Sequence, residues 1–318
     1  MNPYVEAARP RTLPAAVAPV LVGSAAAARP VLELDPLRAG LALVVALALQ
    51  VAVNYANDWF DGVKGVDTEA RTGPRRAVAS GLISPAGMRT ATFGALGVAG
   101  VAGATLAWLV GWELLLVGAV AMLAALGYSG GASPYAGRGL GEISVFVFFG
   151  LVATAGSAYV QDAALHALPL VAAVPMGLLT VALLVVNNLR DIPTDAAADK
   201  RTLAVRLGDA RTRRLFQALL GAAILWVPVV ALAAGSPWPL LAVLAAPLAV
   251  PAMRTAGTAP AGRELVPVLE ATGRLLLVYG LLLAVGLGLV SDAGSLDPRA
   301  TAQAPPSWAG APIGWWTW

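Results

Sequence analysis

Long apolar runs separated by short polar segments make up most of this chain. A helix needs about 20 mostly apolar residues to cross the hydrocarbon core of a bilayer. The pattern predicts nine such helices, at residues 13–28, 39–60, 87–110, 113–129, 140–160, 168–189, 214–234, 238–253 and 273–291. The predicted fold class is therefore all-α, a polytopic membrane protein built as a bundle of nine transmembrane helices.

The composition supports a membrane protein and excludes several other classes. Hydrophobic residues make up 58% of the 318 residues and charged residues 12%, whereas soluble domains are about 25% charged. The absence of cysteine excludes disulfides and thiolate metal sites. Although the net charge is +3, its distribution along the chain argues against a nucleic-acid partner and for contact with a lipid bilayer.

The basic residues predict the orientation of the helices. With a cytoplasmic N-terminus, 18 of the 21 Lys and Arg residues fall in or beside the segments predicted to be cytoplasmic. Only Arg29, Arg38 and Arg299 do not. This asymmetry follows the positive-inside rule, and we expect a multi-pass protein of the cell (plasma) membrane.

The C-terminal segment differs from the rest of the chain. Residues 292–318 are rich in Pro, Gly and Trp and too short and broken to form another span. We therefore expect a membrane domain at 1–291 and a disordered tail at 292–318.

Two polar clusters stand at the ends of the second and sixth apolar runs. The first contains Asn54, Asn57, Asp58 and Asp61, followed by Lys64 and Asp67. The second contains Asn187, Arg190 and Asp191, followed by Asp195, Asp199 and Lys200. An aspartate costs about 2.5–3.5 kcal/mol at the centre of an inserted helix, so acids near membrane depth indicate a binding site.

Helical spacing brings parts of each cluster together. Asn54, Asp58 and Asp61 share one helix face, because they are four and three residues apart. Asn187 and Asp191 stack in the same way, and both clusters contain the pattern Val-Asn-x-x-x-Asp, a weak internal repeat. Pro193 predicts a helix end before the remaining acids, so we expect Asp195 and Asp199 on a loop or a new short helix.

Carboxylate and amide oxygens are the ligands that Mg²⁺ prefers, and Mg²⁺ commonly fills its remaining positions with phosphate oxygens. Two acidic clusters on one aqueous face, surrounded by basic residues, therefore favour a site for divalent metal and a diphosphate. The alternative is that these acids only solvate helix ends and pair with neighbouring arginines. A scaffold protein would not need two matched clusters.

The arrangement resembles the UbiA superfamily of intramembrane prenyltransferases. The resemblance covers about residues 6–290 and rests on the segments 9–14, 18–20, 57–67, 73–75, 128–131, 139–142 and 187–208. Within the family, the pattern Asn-Asp-x-x-Asp-x-x-x-Gly-x-Asp is similar to the branch that prenylates 1,4-dihydroxy-2-naphthoate. Gly65 stands where other branches carry an acid, and the acid is displaced to Asp67.

The resemblance implies a fold and a set of site residues. The helices would surround a central cavity that opens laterally to lipid. The expected Mg²⁺ ligands are Asp58, Asp61, Asp191 and Asp195, with Asp67 and Asp199 ranked lower. The expected substrate-binding residues are Asn54, Asn57, Lys64, Asn187, Arg190 and Lys200. Tyr128 would hold the acceptor or shield an allylic cation; the family often has a lysine four residues after this tyrosine, but Ala132 stands there, which leaves the basic partner open.

The implied reaction transfers a polyprenyl group from polyprenyl diphosphate to 1,4-dihydroxy-2-naphthoate, with loss of carbon dioxide, in menaquinone biosynthesis. Other branches of the family remain alternatives: enzymes that use 4-hydroxybenzoate or homogentisate, chlorophyll synthase-like enzymes and phosphoribosyl-lipid synthases. A secondary transporter is the alternative from another class, but transporter sites lie near the bilayer midplane, where this chain has almost no charge. The sequence does not fix the length of the prenyl chain.

Overall fold

The structure, a computed structural model, describes residues 2–27, 33–65, 76–131 and 133–290. All regular elements within these ranges are helical. The helices are α1 (Pro3–Ala7), α2 (Pro14–Ala27), α3 (Pro36–Val63), α4 (Pro85–Leu109), α5 (Glu113–Ser129), α6 (Gly141–Asp162), α7 (Ala167–Ala197), α8 (Leu203–Leu207), α9 (Asp209–Ala234), α10 (Trp238–Thr258) and α11 (Arg263–Gly288). The predicted all-α fold class is confirmed.

Seven of these helices are long and apolar enough to cross a membrane: α3, α4, α6, α7, α9, α10 and α11. The shorter apolar helices α2 and α5, of 14 and 17 residues, occupy the other two predicted positions. The chain is therefore a polytopic membrane protein. The count of nine crossings stays a prediction, because it depends on α2 and α5.

Small residues bring the helices on one side of the bundle close together. The core of this side is formed by α2, α7, α9, α10 and α11, with α7 the most buried of the long helices. A Cβ on Gly280 of α11 would lie 2.6 Å from the Cβ of Ala18 on α2. Without a hydrophobic driving force between helices in lipid, such close packing holds them together.

The other side of the bundle is more open. Helix α3 pairs along much of its length with α4, and α5 packs against both of them. The contacts between α5 and α6 are few. Helices α5 and α6 are therefore packed more loosely against each other than α3 is against α4.

The sequence predicts a helix end at Pro193, with Asp195 and Asp199 beyond it. This is wrong for Asp195 and right for Asp199. Helix α7 continues through Pro193 to Ala197, so Asp195 lies within its last turns, whereas Asp199 follows the helix with a left-handed φ of 51°. A proline inside a helix costs about 3 kcal/mol. Apolar packing of Leu189 and Ile192 in the core offsets this cost.

Two predictions fall outside the described residues. Asp67 lies in the segment 66–75, and the predicted tail at 292–318 lies beyond the last described residue, Val290. The domain limits at 291 and 292 therefore stay predictions.

Candidate functional site

A cavity of about 470 Å³ lies among α2, α3, α4, α5, α6 and α7. Polar residues from both predicted clusters, among them Asp61 and Asp191, line one end of it. A buried apolar cluster closes the other end and consists of Val20, Ala42, Leu106 and Val160. Along α3, Asp61 and Ala42 are separated by about 28 Å at 1.5 Å per residue, so the cavity follows most of the helix.

The first cluster has the predicted helix face, but its two aspartates have different surroundings. Asn54, Asp58 and Asp61 are all buried on α3. The carboxylate of Asp58 accepts hydrogen bonds from the backbone N–H groups of Ala77 and Val78, at 3.0 and 2.9 Å. Asp61 lines the cavity, whereas Asp58 is not among the described residues that line it.

Asp61 connects the two clusters. Lys200, from the segment after α7, places its Nζ 3.2 Å from Asp61 Oδ2, and Arg76 places its Nη2 3.5 Å from the same oxygen. All three residues line the cavity. The segment that follows the second cluster thus reaches the first cluster across the polar end of the cavity.

The acids of the second cluster both face the cavity. Asp191 and Asp195 are buried and line it. Arg190 donates from Nε and Nη2 to the two carboxylate oxygens of Asp191, at 2.8 and 2.7 Å, and from Nη2 to Asn187 Oδ1 at 2.9 Å. Arg190 itself is buried. It pairs with Asp191 and does not line the cavity.

The asparagines of the first cluster hold neighbouring segments in place. Asn54 donates to the carbonyl of Ala8 at 2.9 Å and to Thr12 Oγ1 at 3.2 Å, which ties α3 to the N-terminal segment. Asn57 accepts a hydrogen bond from the hydroxyl of Ser129 at the end of α5. Both asparagines also line the cavity, so they are available to a bound molecule as well as to these segments.

Besides Asp58 and Arg190, two further predicted residues do not line the cavity in this structure. Lys64 donates to the carbonyls of Ser129 and Gly131, at 3.2 and 2.9 Å. Asp199 pairs with Arg201 at 3.2 Å, and its side chain is 87% exposed. Lys64 therefore links the end of α3 to the end of α5. Asp199 lies in solvent beside the site.

Tyr128 lines the cavity next to a second tyrosine, Tyr135, that the sequence pattern did not single out. The rings of Tyr128 and Tyr135 meet edge to face, with centroids 5.5 Å apart. The Tyr135 hydroxyl donates to the Ala124 carbonyl at 2.7 Å and contacts Ser144 Oγ at 3.0 Å. Burial raises the pKa of the Tyr135 phenol, and the hydrogen bond with Ser144 acts in the opposite direction. The phenol is therefore protonated at neutral pH.

Two arginines of the lining were also missed. Arg9 lines the cavity, has a left-handed φ of 53°, and interacts electrostatically with Tyr128. Arg9 thus contributes positive charge near Tyr128. Arg76 could not be distinguished by sequence from the other arginines of its loop.

Residues 16–260 match the sequence profile of the UbiA prenyltransferase family. The chain belongs to this family. The match spans most of the chain and confirms the resemblance that the two acidic clusters indicated.

Curated relatives match this chain over most of its length. The chain is 48% identical to a 1,4-dihydroxy-2-naphthoate octaprenyltransferase of Mycobacterium tuberculosis, over 89% of this chain and 96% of the relative. It is 39% identical to the Escherichia coli protein of the same name, over 90% of this chain and 95% of the relative.

Solved structures of UbiA homologues share the fold. An apo homologue from Aeropyrum pernix superposes with a TM-score of 0.66 at 17% identity, over 86% of this chain and 96% of that chain. A homologue from Archaeoglobus fulgidus bound to GPP and Mg²⁺ gives 0.60 at 16% identity, over 89% and 100%. At these identities the likeness establishes the UbiA fold.

The donor chemistry of the polar end suits a hard divalent cation. Asp61, Asp191 and Asp195 contribute buried carboxylates to one cavity, and such oxygens are Mg²⁺ ligands. Within the described ranges, no three acidic, histidine or cysteine side chains converge closely enough to hold an ion. Basic side chains contact these carboxylates, among them Lys200 and Arg76 at Asp61 and Arg190 at Asp191.

Proposed function

We propose that this protein transfers a polyprenyl group from polyprenyl diphosphate to 1,4-dihydroxy-2-naphthoate in menaquinone biosynthesis. The curated relatives of that name support this assignment, because the similarity extends over nearly all of both chains. The observation in the structure that carries it is a continuous cavity with acids and cations at one end and an apolar interior. An amphiphile with a charged head and a long apolar chain fits this division.

The polar end would bind the diphosphate together with Mg²⁺. Asp61, Asp191 and Asp195 would hold the ion, which neutralises charge on the diphosphate and acts as a Lewis acid. Two acidic clusters would repel the negative diphosphate by themselves. Lys200 and Arg76 reach the same carboxylate, so both lie within reach of an anion bound beside it.

Asp58 has a different position in this proposal. Its carboxylate is held by the backbone of Ala77 and Val78. To serve as a ligand, as the family resemblance implies, it would have to leave these two hydrogen bonds. In the present arrangement Asp58 fixes the segment that begins with Arg76, and so positions that arginine at Asp61.

The acceptor would lie beside Tyr128, at the boundary between the polar and apolar parts of the cavity. The C–O bond of the allylic diphosphate breaks, the ring carbon that bears the carboxylate forms the new C–C bond, and carbon dioxide leaves. Asn54, Asn57 and Arg9 line this part and can orient the acceptor through its hydroxyl and carboxylate oxygens. The face of the tyrosine ring can shield positive charge on the allylic carbon.

We further propose that the protein lies in the cell membrane with its N-terminus and the polar end of the cavity in the cytoplasm. The charge asymmetry of the loops supports this orientation. The chain has no cysteine, so single cysteines can be labelled without background. Ser80→Cys and Ala210→Cys should react from the cytoplasmic side and Leu165→Cys from the outer side. Reaction of Ser80→Cys and Ala210→Cys from opposite sides would contradict a shared site.

The assay that tests the proposed reaction uses membranes containing the protein, octaprenyl diphosphate and one acceptor at a time. We expect prenylation of dihydroxynaphthoate with one carbon dioxide released per product, loss of turnover with EDTA, and recovery with Mg²⁺. More efficient prenylation of 4-hydroxybenzoate with its carboxylate retained would place the protein in another branch of the family.

A further inference from the structure

The apolar part of the cavity contains a helix segment of unusual geometry. Residues Phe146–Val152 of α6 form a π-helix. A π turn has i→i+5 hydrogen bonds and is wider than an α turn, and such turns are frequent at functional sites. Gly150 anchors the segment to α7, because a Cβ there would lie 2.5 Å from the Cα of Gly177.

The wide turn keeps one face of α6 toward the cavity. Ser144, Phe148, Val152, Gly156 and Val160, each four residues apart, all line the cavity. In a regular α-helix, sixteen residues at 3.6 per turn would rotate the last of these about 160° away from the first. The π segment cancels much of this rotation, and the result is a continuous wall from the Tyr128 region to the closed end.

Gly156 is the smallest residue in this wall, and the position that a side chain would occupy there is empty. An added Cβ would meet no atom within 4 Å, in contrast to Gly150 and Gly280, whose hydrogens face neighbouring helices. Helix packing therefore does not explain a glycine at this position. Gly156 lies one turn before Val160, which belongs to the buried cluster that closes the cavity.

We infer that Gly156 is a specificity-determining residue that leaves room for the distal part of the polyprenyl chain and so sets the length of chain that the cavity accepts. This inference rests on the proposed function. The occupant is the apolar chain of the donor, because the space is continuous with the polar end that would hold the diphosphate. None of the described residues that line its deep part is charged. A chain that instead leaves the cavity near its polar end would not touch Gly156.

The test compares Gly156→Ala and Gly156→Leu with Gly97→Leu. Gly97 lies in the spanning helix α4, is outside the cavity lining, and also has no atom within 4 Å of an added Cβ. The measured quantity is the ratio of kcat/KM for octaprenyl diphosphate to that for geranyl diphosphate, with dihydroxynaphthoate as acceptor. Thermal unfolding in detergent checks that each variant is folded.

We expect Gly156→Leu to lower this ratio about tenfold or more, since a chain that cannot bury several CH₂ groups loses at least that much affinity. Gly156→Ala should lower it less, and Gly97→Leu should leave it at the wild-type value. An unchanged ratio in Gly156→Leu, or an equal fall in Gly97→Leu, would overturn the inference while the proposed function stands. A wild-type protein that uses neither donor would overturn the proposed function itself.

Discussion

The acidic clusters at the ends of α3 and α7 share a sequence pattern but use it differently. Asn187 and Asp191 both line the cavity, and Arg190 contacts both. At the corresponding positions of α3, Asn54 binds the N-terminal segment and Asp58 binds two backbone amides.

The acid of α3 that reaches the cavity lies three residues later, at Asp61. A buried carboxylate near the membrane can therefore serve a ligand or hold a buried turn. The two roles differ in whether backbone N–H groups bind the carboxylate, as those of Ala77 and Val78 do at Asp58.

The largest effect should follow from removing a cavity-facing carboxylate. Asp61→Asn and Asp191→Asn should each lower kcat on the order of a thousandfold, because stabilisation of the leaving diphosphate is lost. Asp199→Asn is the matched control, since that side chain is exposed outside the cavity, and it should keep nearly the wild-type rate. Activity of Asp61→Asn equal to that of the control would remove α3 from the site.

A stability difference should separate Asp58 from the cavity-facing acids. Asp58→Ala leaves two buried N–H groups without an acceptor and should lower the free energy of unfolding by about 2–4 kcal/mol. We expect a reduced unfolding temperature in detergent, and a smaller reduction for Asp58→Asn, which keeps one acceptor oxygen. Full stability combined with lost activity in Asp58→Ala would instead make Asp58 equivalent to Asp191.

The smallest of these effects concerns the two lysines. Lys200→Gln should raise the KM for the donor about tenfold, because a hydrogen bond to a charged group contributes about 1.5–3 kcal/mol. Lys64→Gln should change it little, since Lys64 binds two backbone carbonyls and is outside the cavity lining. Donor KM values measured at fixed acceptor and saturating Mg²⁺ decide the comparison, and a larger effect from Lys64→Gln would contradict it.

The sequence was sufficient to predict where the apolar helices lie and that the two polar clusters are candidates for a binding site. Apolar runs of about 20 residues form membrane helices, and acids near membrane depth are costly unless something binds them. The sequence failed at Pro193, where tertiary packing outweighs the local cost of proline. It could not show that Asp58 binds Ala77 and Val78, or that Arg9 lies near Tyr128, because both contacts depend on distant segments.

Glycine shows the same limit. Sequence favours helix packing for every glycine in a membrane helix, and Gly150 and Gly280 do pack closely. Gly156 has the same sequence context but faces open space. Gly156 faces the cavity and Gly150 faces α7, a difference that hydrophobic periodicity does not reveal.

The central claim is that the ends of α3 and α7 form one site for a diphosphate and a divalent cation. Its most direct test is binding of geranyl diphosphate to the purified protein, titrated with Mg²⁺, for Asp61→Asn, Asp191→Asn and the double variant. We predict Mg²⁺-dependent binding in the wild type, similar losses in each single variant, and little further loss in the double variant. Binding independent of Mg²⁺, or losses that multiply as for two separate sites, would contradict the claim.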